Sequence, residues 1–206
     1  MARRSKMLPA SIQEKLVFFN KEKYIIDDTV VELKEKSKAG KACLTCKLNK
    51  ETLIFMDPEK NTLPYLDESI KSAKACADKF LFELDTDEKW ILHVIEFKKT
   101  INTDSINKSK RQFVMGIYNA RALAGFLNMQ LKEIHIYSAY RNDRIDSIQD
   151  DSLIQMRSAN IDPEALRIIR EWKKGKCTLN LDSEETTFIH EKIQLDQDGN
   201  GKCVLC

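Results

Sequence analysis

The sequence predicts a mixed α/β fold, and three observations carry that reading. Residues 90–140 run as a strand, a long amphipathic helix and a second strand. Residues 80–84 form an earlier strand, separated from residue 90 by the polar turn 85–89. After Gly175 the chain changes to short β-type runs at 177–181, 186–195 and 202–206, which read as a meander.

In chain order, residues 12–19 suggest a short helix, and residues 24–33 mix strand formers with Asp27 and Asp28. Residues 42–48 and 52–56 read as two strands around the polar Asn49-Lys50-Glu51, followed by a loop at Pro58 and Asn61. Leu66, Ile70, Ala73 and Ala77 fall at helical spacing, with Pro64 placed near the start. Residues 90–97 are the longer strand, and Asn102-Thr103-Asp104 offers capping side chains for the next helix. Along that helix Phe113, Ile117, Ala120, Ala124 and Leu127 make one apolar face. Strand, helix and strand then imply a parallel crossover unit. Pro163 opens a last helix through Trp172, and residues 196–201 read as a Gly-rich hairpin turn.

Bulk properties bound the class. With 206 residues, 42% hydrophobic and 32% charged, the chain can bury one sizeable core and is neither disordered nor fibrous. No apolar run reaches the ~20 residues of a membrane span. The basic start, Met1-Ala2-Arg3-Arg4, leads into no long apolar stretch, so a cytoplasmic protein without a membrane partner is expected. Net charge is +2, which leaves a nucleic-acid partner to the local distribution of charge. Lys108, Lys110, Arg111, Arg141 and Arg144 flank the ends of expected elements and are the candidates to grip phosphates.

The main chemical signal is Asp78 with Glu96 and Lys98. Side chains alternate along a strand, so Glu96 and Lys98 share one face while His93, Ile95 and Phe97 take the other. His93 is therefore read as a core residue. Asp78 enters the preceding strand, and a hairpin would bring all three together. Two carboxylates suit Mg²⁺, a hard ion that keeps several waters, and a nearby lysine can orient a water or neutralise charge growing on a phosphate. Glu-x-Lys also occurs at 32–34 and 171–173. The latter lies in an expected helix, where positions two apart do not share a face. The former follows Asp27 and Asp28 but leads into a Lys- and Gly-rich stretch rather than an amphipathic helix.

With these residues, ACADKFLFEL, WILHVIEFKKT and the helix KSKRQFVMGIYNARAL, residues 63–140 resemble the PD-(D/E)XK nuclease superfamily. The resemblance implies a restriction-endonuclease-like mixed sheet flanked by helices over residues 1–175. Residues 176–206 would then be a small β-rich C-terminal extension packed on the same domain. It implies metal binding by Asp78 and Glu96, assistance to the attacking water by Lys98, and a polar group aimed at the site from Gln112. Glu68 is a further metal candidate from the preceding helix. Ala77 stands where the family has its proline, and the glutamine–tyrosine motif of the exonuclease branch has no counterpart. The implied function is Mg²⁺- or Mn²⁺-dependent endonucleolytic hydrolysis of nucleic acid, DNA before RNA. A homodimer or a partner subunit is left open. The alternative is a non-catalytic nucleic-acid- or protein-binding regulatory protein on the same fold.

Six cysteines complete the inventory, with Cys-x-x-Cys pairs at Cys43 and Cys46 and at Cys203 and Cys206. Ordinary thiols are one reading. Four thiolates holding a structural Zn²⁺ are the other.

Overall fold

A computed structural model of the chain describes residues 8–37, 40–58, 63, 66–67, 69–70, 72–148 and 162–205. The mixed α/β class is what it shows, in three layers. The central sheet has seven strands in the order β1 (Tyr24–Asp27), β4 (Thr52–Met56), β5 (Lys79–Leu84), β6 (Trp90–Ile101), β7 (Leu131–Asp143), β9 (Glu184–Gln194) and β8 (Lys176–Leu181). A second sheet of three strands runs β10 (Asn200–Val204), β3 (Gly40–Lys47) and β2 (Val30–Ser37). Helices α1 (Ala10–Leu16), α2 (Thr103–Leu127) and α3 (Pro163–Lys173) make the remaining layer.

Strand β6 explains the layering. It is buried along its first eight residues, so both of its faces are covered. Trp90, Leu92 and Val94 pack with Phe80, Phe82, Phe113, Ile117 and Ala120 on the helical side. Ile95 and Phe97 pack with Leu81, Val31, Leu33 and Leu44, which binds the second sheet to the opposite face. Each fully buried Leu, Ile or Phe contributes roughly 1.5–3 kcal/mol of transfer free energy, so both faces are firmly committed.

Pairing is antiparallel from β1 through β6, and parallel from β6 to β7 and from β7 to β9. Parallel pairing of β6 with β7 across α2 is the crossover expected from the sequence. Asn102 caps α2 as anticipated: its side chain accepts from the Ser105 amide at 2.8 Å while Ser105 Oγ accepts from the Asn102 amide at 2.8 Å. The helix ends where Asn128 adopts the left-handed conformation at φ 60°.

Four expectations change. The helix expected across residues 66–77 is absent among the described residues of that stretch. Their backbone bonds are successive i→i−3 turns, including Ala73 N to Ile70 O at 2.9 Å and Ala75 N to Ser72 O at 3.0 Å. The Asp67 carboxylate competes by accepting from the Ser69 amide, and Ile70, in the middle of the expected apolar stripe, is 53% exposed, so burial does not sustain a helix there. The short helix anticipated over residues 12–19 stops at Leu16. The C-terminal meander holds only for β8 and β9, which pair antiparallel. β10 leaves that sheet and pairs parallel with β3, so the turn before it passes the chain between sheets rather than closing a hairpin. Gly199 makes this turn possible: at φ +87° a Cβ there would lie 2.4 Å from the Lys41 carbonyl oxygen.

Candidate metal and phosphate site

The antiparallel register of β5 and β6 ends with Lys79 opposite Ile95. One step further places Asp78 opposite Glu96. The Phe97 amide donates to Asp78 Oδ2 at 2.7 Å and fixes the carboxylate beside β6. Glu96 and Lys98 project from the helical face, and Lys98 Nζ donates both to Glu96 Oε1 and, at 2.8 Å, to Gln112 Oε1. Gln112 in turn donates through Nε2 to the Cys76 carbonyl at 3.3 Å, tying α2 to the segment that carries Asp78. Asp78, Glu96, Lys98 and Gln112 are thus brought into one neighbourhood. Glu68, the fifth candidate, lies outside the described residues.

Close helix packing holds this arrangement. A Cβ at Gly116 would sit 3.1 Å from the Ala77 amide nitrogen and 3.2 Å from the Ala77 Cβ. α2 therefore approaches the residue before Asp78 more closely than a larger side chain would comfortably allow. Ala77 is the surface it meets.

The electrostatics are those of a site short of positive charge. Glu96 is 2% exposed, and among the described residues its Oε2 has no hydrogen-bond partner. Burial, reinforced by the Asp78 carboxylate, pushes Glu96 up to about 8 against the pull of Lys98 and Gln112. Burial also holds Asp78 above the ordinary carboxyl range, opposed by the Phe97 amide. Two desolvated carboxyl groups and an unsatisfied buried oxygen fit a hard divalent cation. Among the described residues, no group of three His, Cys, Asp or Glu side chains is arranged to hold a metal.

Asp78 and Gln112 line a cleft of about 670 Å³, with Ser72, Lys74, Lys108 and Arg111 on its walls. Lys110, grouped with Lys108 and Arg111 from the sequence, instead donates to Glu171 at 2.8 Å. Arg141 donates to the Lys41 carbonyl and lines a separate hollow with Lys98, Lys99 and Glu35.

Both rival Glu-x-Lys copies fall elsewhere. Glu32 and Lys34 pair with each other on β2, with side chains 57% and 59% exposed, and Glu171 and Lys173 lie on α3. His93 is fully buried on the opposite face of β6, with Nδ1 2.9 Å from the Tyr137 hydroxyl, as its alternation implied.

Lys79 is a residue that the sequence did not single out. Its side chain is fully buried, 3.0 Å from Asp57 and 3.5 Å from Glu35, on the face opposite Asp78. Glu35 comes from the second sheet and adds to the negative field at Asp78. A lysine opening the largely apolar strand KFLFEL was the available signal.

The cysteines divide. Cys43 and Cys46 lie on one continuous strand, where an odd spacing directs them to opposite faces. Cys46 is buried beside Cys203, and Cys206 lies outside the described residues.

Comparison of the chain with protein-family models, with curated proteins and with solved structures finds no match to any of them.

Proposed function

We propose that the chain is a Mg²⁺- or Mn²⁺-dependent nuclease of the PD-(D/E)XK type, cleaving phosphodiester bonds within DNA. One observation carries the reading: the buried Glu96 Oε2 has no partner among the described residues, beside Asp78 and at one end of the Glu96–Lys98–Gln112 chain. The antiparallel β5–β6 pair, the α2 crossover and the parallel β7 support a restriction-endonuclease-like arrangement for these residues.

Asp78 and Glu96 would hold the ion. When bound, it supplies charge neutralisation at the phosphoryl group and a more acidic water. Lys98, held at Nζ by Glu96 and Gln112, is placed to orient the attacking water or to balance charge on the phosphate. Gln112 keeps the lysine on that axis through its bond to Cys76 O. Lys108 and Arg111, on the cleft wall, are placed to grip neighbouring phosphates of the strand.

The test is incubation of circular, linear and single-stranded DNA and of RNA with Mg²⁺ or Mn²⁺, using wild type and Lys98→Ala. Cleavage lost in the variant supports the proposal and identifies the polymer. Cleavage equal in both removes Lys98 from the mechanism. Nucleic-acid binding without cleavage in wild type favours the non-catalytic binding protein instead.

A further inference from the structure

The second sheet contains a pair of thiols already in position to join. Cys203 on β10 lies directly opposite Cys46 on β3 in a parallel register. Neighbouring strands run ~4.8 Å apart, inside the Cα separation a disulfide requires. Both side chains turn toward the apolar layer between the sheets, and their sulfurs are 3.2 Å apart, one S–H donating to the other sulfur. Both are free thiols.

We propose that Cys46 and Cys203 form a reversible disulfide by exchange with a small-molecule disulfide such as oxidised glutathione. Cys203 is the partly exposed member and the entry point; Cys46 is buried and resolves. The Cys203 thiolate attacks one glutathione sulfur, forming a mixed disulfide and expelling a glutathione thiolate. Cys46 then attacks the Cys203 sulfur and expels the second. The two protons lost by the cysteines end on the two glutathione thiols, and the protein is oxidised by two electrons. Its contact with Cys46 lowers the Cys203 thiol from its ordinary range, in keeping with the order of attack.

Pairing is selective among the described cysteines. Cys43 points to the other face of β3, while Cys76 and Cys177 are buried in the helical-side core. The bond would fasten the last strand to the sheet that supplies Glu35, closing a loop with a sequence separation of 157 residues. A loop that long strongly restricts the unfolded chain, so the oxidised protein should melt at a higher temperature.

The experiment exposes the full chain to a series of glutathione redox buffers, then denatures and alkylates it. Residues 42–47 and 203–206 each form one tryptic peptide, so fragment-ion sequencing assigns the sulfurs. Oxidation should remove two of the six alkylatable thiols, link Cys46 to Cys203, raise the melting temperature and be reversed by dithiothreitol. A Cys43→Ser, Cys206→Ser double variant should retain the link, and Cys203→Ser should lose it. The proposal is overturned if all six thiols stay alkylatable in the most oxidising buffer. A link through Cys43 or Cys206, or stoichiometric zinc shielding these thiols in the purified protein, overturns it equally.

Discussion

The Phe97 amide donates to the Asp78 carboxylate at 2.7 Å, so the backbone of one strand orients a side chain at the mouth of its neighbour. That bond sets Asp78 beside Glu96, and the pair draws Lys98 and Gln112 into a common site. Its chemistry can be probed one group at a time.

Lys98→Ala should reduce cleavage by about 100-fold or more, the scale seen when one donor to a developing charge is removed. Gln112→Ala should cost less, since Lys98 keeps its Glu96 partner. Initial rates on the substrate identified for wild type test both; equal losses in the two variants would contradict the ordering.

Mn²⁺ should stabilise the protein through Asp78 and Glu96. At a hundred times its dissociation constant, a ligand adds about 2.7 kcal/mol, which corresponds to a melting-temperature rise of roughly 5–10 °C for a domain of this size. Glu96→Ala should abolish the rise. An equal rise in that variant, measured by thermal denaturation, would place the ion elsewhere.

Two glycines of the same helix should respond with opposite signs. Gly125 is exposed with no atom within 4 Å of an added Cβ, so Gly125→Ala should stabilise by about 0.5–1 kcal/mol through helix propensity. Gly116→Ala gains the same propensity but presses on the Ala77 backbone, and should destabilise by about 1–2 kcal/mol net. Urea unfolding of the two variants compares them directly. Activity should fall in Gly116→Ala alone, because Ala77 precedes Asp78.

Acid should destabilise the protein through His190. Burial, helped by Lys192 and Lys110, pushes this imidazole down to about 3 from 6.5. Between those values the unfolded chain binds a proton that the folded chain refuses. Stability from this group is therefore complete above pH 6.5 and is lost as pH falls toward 3. One proton corresponds to a slope of ~1.4 kcal/mol per pH unit at most. His190→Gln should flatten unfolding free energy against pH over that window, and an unchanged slope would contradict the assignment.

Much of the site was legible before the fold was known, because strand alternation is local. Two positions apart on a strand means one face, which put Glu96 with Lys98 and His93 among core residues. The same locality misled at residues 66–77, where Ile70, in the middle of the expected apolar stripe, remains exposed. Spacing also suggested that Cys43 and Cys46 act together, whereas one continuous strand directs them to opposite faces.

Local patterns of residues were enough to specify the mixed α/β class, the α2 crossover with its Asn102 cap, and the common face of Glu96 and Lys98. Each depends on neighbours within a few turns or residues. Tertiary structure alone decided that β10 leaves the β8–β9 sheet for β3, that Lys79 is buried between Asp57 and Glu35, and that Cys46 meets Cys203. Those partners lie 22 to 157 positions apart along the chain. No local pattern records which distant strand will cover a given face, because that choice is made by the total apolar surface removed from water when the layers close.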